Sequence, residues 1–129
     1  MSLYREEILD HYKHPHNFGV LPHASVSAEE HNIPCGDRMK VSLALAGHTI
    51  TDMKFEGSGC ALSIAATSML SENVRNKPCE EIEKMQESDI MSMVVGGSVA
   101  AGRISCVLLG YKALRNALAQ RAEKNIVPA

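Results

Sequence analysis

The sequence predicts an α+β fold in which a small antiparallel three-stranded sheet packs against several helices. Two patterns carry that expectation. Met39, Val41, Leu43 and Leu45 alternate with Lys40, Ser42, Ala44 and Ala46, the period of a half-buried strand, and a turn and a second extended run follow. From Cys60 onward the apolar residues recur at helical spacing instead. Strands gathered before helices point to an α+β arrangement rather than an alternating α/β one.

In chain order, Leu3, Tyr4, Ile8, Leu9 and Tyr12 define a first helix over Leu3 to His14, stopped by Pro15. Between Pro15 and Pro34 the chain is rich in His, Pro, Asn and Gly, and only Val26 and Ala28 suggest a short edge strand. Met39 to Ala46 is the strongest strand, Ala46-Gly47-His48-Thr49 its turn, and Ile50 to Glu56 the returning strand of a hairpin. After Gly57-Ser58-Gly59 a helix runs to about Arg75-Asn76, and Pro78 and Ser88 look like the starts of two shorter helices. Gly96-Gly97-Ser98 opens a connection to a last helix over Ser105 to Lys124. No repeat, low-complexity segment or domain boundary interrupts residues 1–129, so one domain is expected.

Apolar residues make up 45% of the chain and charged residues 22%, a globular composition. The net charge of −2 creates no field that would gather phosphate backbones or anionic lipid, which argues against a nucleic-acid partner. No apolar run reaches the roughly 18 residues of a membrane span. Acids at Glu6 and Glu7 do not suit a secretory leader, so a cytoplasmic location is expected. In a reducing compartment the four Cys are core residues, metal ligands or reactive thiols rather than disulfides.

Three of them stand where a thiolate is useful. Cys35 lies in a Pro34-Cys35-Gly36-Asp37 loop, in which Asp37 can add an oxygen to the sulfur. Cys60 closes Gly57-Ser58-Gly59 where a helix begins, and the positive end of a helix dipole lowers a thiol pKa. Cys106 opens the last helix, with Arg103 nearby to favour the thiolate. Cys79, in Pro78-Cys79-Glu80-Glu81, has no neighbour resembling a ligand and reads as incidental. Since no Cys-x-x-Cys pair occurs, spacing alone does not dictate convergence. His11, His14 and His16 cluster around the end of the first helix, with His11 and His14 one turn apart on a shared face, and form a weaker metal candidate, because His at a helix C-terminus commonly complements the dipole. Gly57-Ser58-Gly59 lacks the Lys of a P-loop, and Lys112, Arg115, Arg121 and Lys124 read as a solvated basic face.

Taken together, Tyr4, Asp10-His11-Tyr12, Pro15, Asn17, Gly19, Asn32, Pro34-Cys35-Gly36-Asp37, Lys54-Phe55, Gly59-Cys60, Ile104 and Cys106 resemble the IscU, SufU and NifU N-terminal type of iron-sulfur cluster assembly scaffold. The resemblance spans nearly the whole chain. It implies the small fold of that family and a site of Cys35, Asp37, Cys60 and Cys106 that holds iron, a 2Fe-2S cluster or, alternatively, zinc. It also implies a cysteine desulfurase as sulfur donor and apo-proteins as recipients, with Tyr4 matching a tyrosine linked to self-association, hence a dimer.

The chain also departs from the family's subtypes. Ser105 stands where IscU-like members carry His and SufU-like members Lys, which removes an auxiliary ligand. Gly97-Ser98-Val99-Ala100-Ala101 replaces the Leu-Pro-Pro-Val-Lys chaperone signal, and His14 and His16 replace the usual Asn and Arg. Arg103 and Gly36-Asp37-Arg38 look SufU-like, yet the SufU insertion before the last motif is absent. The resemblance thus implies a scaffold, with two other readings alongside it. One is a zinc-dependent sulfurtransferase accepting persulfide on Cys106, the other a zinc-stabilised interaction domain.

Overall fold

The structure is a computed structural model that describes residues 2–32, 36–95 and 104–123. Helix α1 (Ser2–Lys13) leads through a long connection to β1 (Val26–Asn32), β2 (Asp37–Ala46) and β3 (Thr49–Ser58). Then come α2 (Ala61–Val74), β4 (Lys77–Pro78), α3 (Cys79–Glu83), α4 (Glu87–Val95) and α5 (Ile104–Glu123). The strands form one antiparallel sheet in the order β1-β2-β3-β4. It has four strands rather than the three expected, because two residues after α2 pair with Thr49 and Ile50 at the start of β3.

The hairpin follows from the alternation. Val41 stands opposite Phe55 and Leu43 opposite Met53, so their inward side chains reinforce one another across the ladder. Gly47, at φ +61°, makes the two-residue turn, a conformation that costs glycine little. Farther along β3, the outer edge is covered by the segment after α1. Phe55 N–H donates to the Asn17 carbonyl at 3.0 Å, Gly19 N–H donates to the Phe55 carbonyl at 2.8 Å, and the Phe18 ring meets Phe55 edge-on at 5.2 Å. A strand edge that would otherwise offer unpaired amides is thereby partly closed.

One sheet face carries the core. Val26, Met39, Val41, Leu43, Ile50, Met53 and Phe55 are all buried there, packed by α2 and α5. Side chains of this size each contribute roughly 1.5–3 kcal/mol on burial. Helix α2 is the central element. Besides apolar Ala65, Ala66, Leu70 and Val74 it buries Ser63, Thr67, Ser68 and Ser71, whose hydroxyls bond to backbone and to residues of α1 and its connection. Cys79 is fully buried in this core, and its N–H donates to the His48 carbonyl at 2.7 Å. No helix among the described residues is long and apolar enough to cross a membrane.

Of the basic residues of the last helix, Lys112 is exposed as expected, whereas two arginines also make contacts within the protein. Arg121 pairs with Glu83 at 2.8 Å, while Arg115 donates to the Tyr111 hydroxyl at 2.8 Å and stacks over its ring. Lys124 lies outside the described residues. Helices α2 and α5 meet tightly at Gly110, where an added Cβ would stand 2.1 Å from Thr67 Oγ1 and 2.9 Å from Thr67 Cβ. Thr67 is fully buried and its hydroxyl already donates to the Ser63 carbonyl at 2.8 Å, so it has little room to yield. Gly110→Ala is therefore expected to destabilise the protein by about 1–3 kcal/mol, as overpacking does. A denaturation midpoint equal to that of the parent would contradict this account of the crossing.

Candidate metal centre

Three elements end at one place. The β1–β2 connection returns to the sheet at Gly36, whose N–H donates to the Asn32 carbonyl at 2.8 Å and whose φ of +75° suits glycine. Asp37 is thus the first residue of β2, opposite Asn32 of β1. The residue is only 5% exposed, and its Oδ2 is buried with no hydrogen-bond partner among the described residues. Such an oxygen is costly to bury unless a cation or donor meets it.

From the end of β3, Gly59 leads into α2. A Cβ at Gly59 would come within 2.6 Å of Ser63 Oγ and 3.0 Å of Asp37 Cγ, so the missing side chain is what lets Asp37 lie against the start of the helix. Cys60 is the N-cap of α2 in extended conformation, with its sulfur beside the first amides of the helix. That sulfur remains directed toward the space shared with Asp37 and Cys106. Cys106 sits in the first turn of α5 and is 2% exposed. One ligand atom each from Asp37, Cys60 and Cys106 lies within 4.8 Å of the others.

Asn32 and Ser63 frame this group. The Asn32 amide donates to Ser105 Oγ at 3.1 Å and approaches Cys106 Sγ at 4.0 Å, while Ser63 Oγ stands 3.8 Å from Cys60 Sγ. Asn32 was visible in the sequence as part of the family pattern. Ser63 carried no signal, being one hydroxyl among several on α2. Ser105 is engaged by Asn32, Arg38 pairs with Glu29 at 3.1 Å, and Cys35, Arg103 and Gly97-Ser98-Val99-Ala100-Ala101 lie outside the described residues, as does the side chain of Tyr4.

Two opposed effects set the state of Cys60. Burial pushes its thiol up, but the Ser63 amide, the Ser63 hydroxyl, the Cys106 thiol and the Leu62 amide together outweigh it and hold the thiol below its ordinary value. At Cys79 burial dominates and pushes the thiol up. A lowered pKa supplies thiolate at lower pH, so alkylation of Cys60 in metal-free protein should reach half its maximal rate below the pH of an unperturbed thiol. Cys79 should react only on unfolding. A Cys60 profile centred at or above that of a free thiol, followed by peptide mass mapping, would refute this.

A buried carboxylate oxygen without a partner, beside two thiols at helix starts, is a donor set suited to a soft or borderline metal. Comparison with known proteins agrees in kind. The family model described as NifU-like N terminal domain matches residues 3–127, and the chain belongs to this family. The zinc-dependent sulfurtransferase SufU of Bacillus subtilis is 35% identical, covering 96% of this chain and 95% of that protein. That alignment runs over 140 positions, more than the 129 residues here, so the relative carries residues this chain lacks. The iron-sulfur cluster assembly scaffold protein IscU 1 of Archaeoglobus fulgidus is 32% identical over 95% of this chain and 79% of that protein. Among solved structures, the N-terminal part of a NifU-like protein from Brucella abortus superposes with a TM-score of 0.78, covering 94% of this chain and 95% of that one at 23% identity. That likeness speaks for the fold.

Proposed function

We propose that this protein is a scaffold for iron-sulfur cluster assembly. It receives sulfur from a cysteine desulfurase and holds iron or a 2Fe-2S unit on Cys35, Asp37, Cys60 and Cys106 for transfer to apo-proteins. The observation that carries the reading is the meeting of Asp37, Cys60 and Cys106 within 4.8 Å, with a buried Asp37 oxygen that no described residue satisfies. Family membership and relatives with scaffold names support it.

The residues divide the work by chemistry. Thiolates are the tight ligands for iron, and Cys60 is placed to be deprotonated when iron arrives. The Asp37 oxygen is a harder, weaker partner for an iron-sulfur unit, so it is the bond that opens when the cargo leaves. In sulfur delivery the Cys106 thiolate attacks the outer sulfur of a desulfurase persulfide. A sulfur–sulfur bond forms on Cys106, and the bond to the donor cysteine breaks with release of its thiolate. Arg103 is the cation assigned to support that attack.

Anaerobic incubation with ferrous iron, a sulfide source and a reductant should yield visible absorption and acid-labile sulfide. Both should be lost in Cys60→Ala and Cys106→Ala. Asp37→Ala should retain the cluster longer than the parent when challenged with a chelator, because the exchangeable oxygen is gone. Colourless parent protein would overturn the proposal, and faster loss from Asp37→Ala would overturn the role given to the carboxylate.

The 35% identity to a zinc-dependent sulfurtransferase favours a second reading, in which zinc occupies the same residues and Cys106 carries persulfide. Here zinc would polarise and organise the thiolates rather than be cargo. This reading expects one zinc per chain and desulfurase stimulation that disappears when zinc is stripped. Stimulation that survives complete zinc removal would exclude it.

A further inference from the structure

At the other end of α2 lies a group the scaffold chemistry does not use. The helix expected through His14 ends at Lys13, and the chain then folds back over α2. His16, not His14, therefore comes to lie beside His11, with ring centroids 4.6 Å apart. Both imidazoles face Glu72 of α2. His16 Nδ1 is 2.5 Å from Glu72 Oε2, and His11 Nε2 is 3.6 Å from Glu72 Oε1. One ligand atom from each of the three residues lies within 4.8 Å of the others.

We infer that His11, His16 and Glu72 form a second metal site, a two-imidazole, one-carboxylate set for a borderline divalent transition cation such as zinc. Hydrogen bonding does not account for the whole group. His11 Nε2 and Glu72 Oε1 are too far apart for a hydrogen bond, yet close to the roughly 3.3 Å that two ligands span across a tetrahedral ion with bonds near 2.0–2.1 Å. A cation between them would satisfy both atoms, and would replace the proton shared by His16 and Glu72.

The supporting shell is already built. Ser68 Oγ lies 2.7 Å from His11 Nδ1 and accepts the His16 backbone N–H at 2.8 Å, so one buried hydroxyl positions both histidines. When His11 Nδ1–H donates to Ser68, the lone pair left on Nε2 points to the metal position, the arrangement found behind metal-bound histidines. The loop bearing His16 is further fixed by the Asn17 amide, which donates to Ser71 Oγ at 2.9 Å. The His11 side chain is 11% exposed, whereas those of His16 and Glu72 are 44% and 46% exposed, which leaves a route for the ion and an outer position for water.

This site is independent of the thiolate centre. Glu72 lies twelve residues beyond Cys60, about 18 Å along the helix, so no ion is shared. A bound cation would clasp the C-terminal end of α1 to α2.

The test uses cobalt as a spectroscopic stand-in, added to reduced, metal-free protein. Sulfur-to-cobalt charge-transfer bands report the thiolate centre, and d–d bands without them report the imidazole–carboxylate site. A second equivalent that adds only d–d intensity is expected. It should be lost in His16→Asn and in Glu72→Gln while the charge-transfer bands persist, and weakened about ten- to a hundredfold in Ser68→Ala. Zinc titration followed by calorimetry should give the same stoichiometries. Absence of a second equivalent in the parent, or its persistence in both His16→Asn and Glu72→Gln, would overturn the inference. Missing charge-transfer bands with the second site intact would instead count against the thiolate reading alone.

Discussion

The close approach of α2 and α5 is the constraint on which the rest of the structure depends. With no side chain at Gly110, Thr67 of α2 sits directly against α5, and the two helices lie side by side on one face of the sheet. Their N-terminal ends then come together, which places Cys60 and Cys106 beside one another although neither belongs to a local motif. A second close approach completes the arrangement. Gly59 lets the end of β3 turn into α2 without displacing Asp37, so a strand terminus joins two helix starts. Core packing and site geometry are therefore one problem, since widening the helix crossing separates the thiols.

That geometry has an electrostatic consequence. A helix start concentrates unpaired amides and the positive end of the dipole, and here two helix starts share one space. Anionic donors are favoured there. The Asp37 carboxylate is buried with an unsatisfied oxygen, and the Cys60 thiol is held low despite its burial. Anionic ligands brought together repel one another until a proton or a cation neutralises them, so the features that favour thiolate also favour metal.

Much of the fold was legible in the sequence because it is locally encoded. The alternation from Met39 to Leu45 and the glycine at the turn specify the hairpin, and Pro78 marks the start of a short helix. Pieces fixed by distant contacts were not legible. Strand β4 is two residues long and exists only through pairing with Thr49 and Ile50, and the bridge between Phe18 and Phe55 joins segments far apart in the chain. At the thiolate site the residue types could be read, but their meeting depends on the Gly110–Thr67 and Gly59–Asp37 approaches, which leave no periodic trace. The histidines show the opposite error. Helical spacing pairs His11 with His14, whereas the chain turns at Lys13 and the real neighbour is His16. Nothing in the local sequence of Glu72 distinguishes it from other carboxylates on a helix.

Helix α2 thus separates two donor sets of different character. Its N-terminal end gathers sulfur and a single carboxylate beside the start of β2, and its C-terminal half gathers imidazoles and a carboxylate beside α1. Softness sorts what each end can hold, with thiolates favouring iron-sulfur units or zinc and the imidazole–carboxylate set favouring a lone borderline cation. Mobility sorts them as well. Cargo that must leave needs one weak, exchangeable bond, the part proposed above for Asp37 at the first end. An ion that clasps α1 to α2 needs ligands held by a shared support, which Ser68 supplies at the second. The buried hydroxyls of α2 are then more than tolerated polar groups in a core. They fix the segment after α1, and through it the far edge of β3, so the helix that carries one thiol of the candidate metal centre also organises the surface behind it.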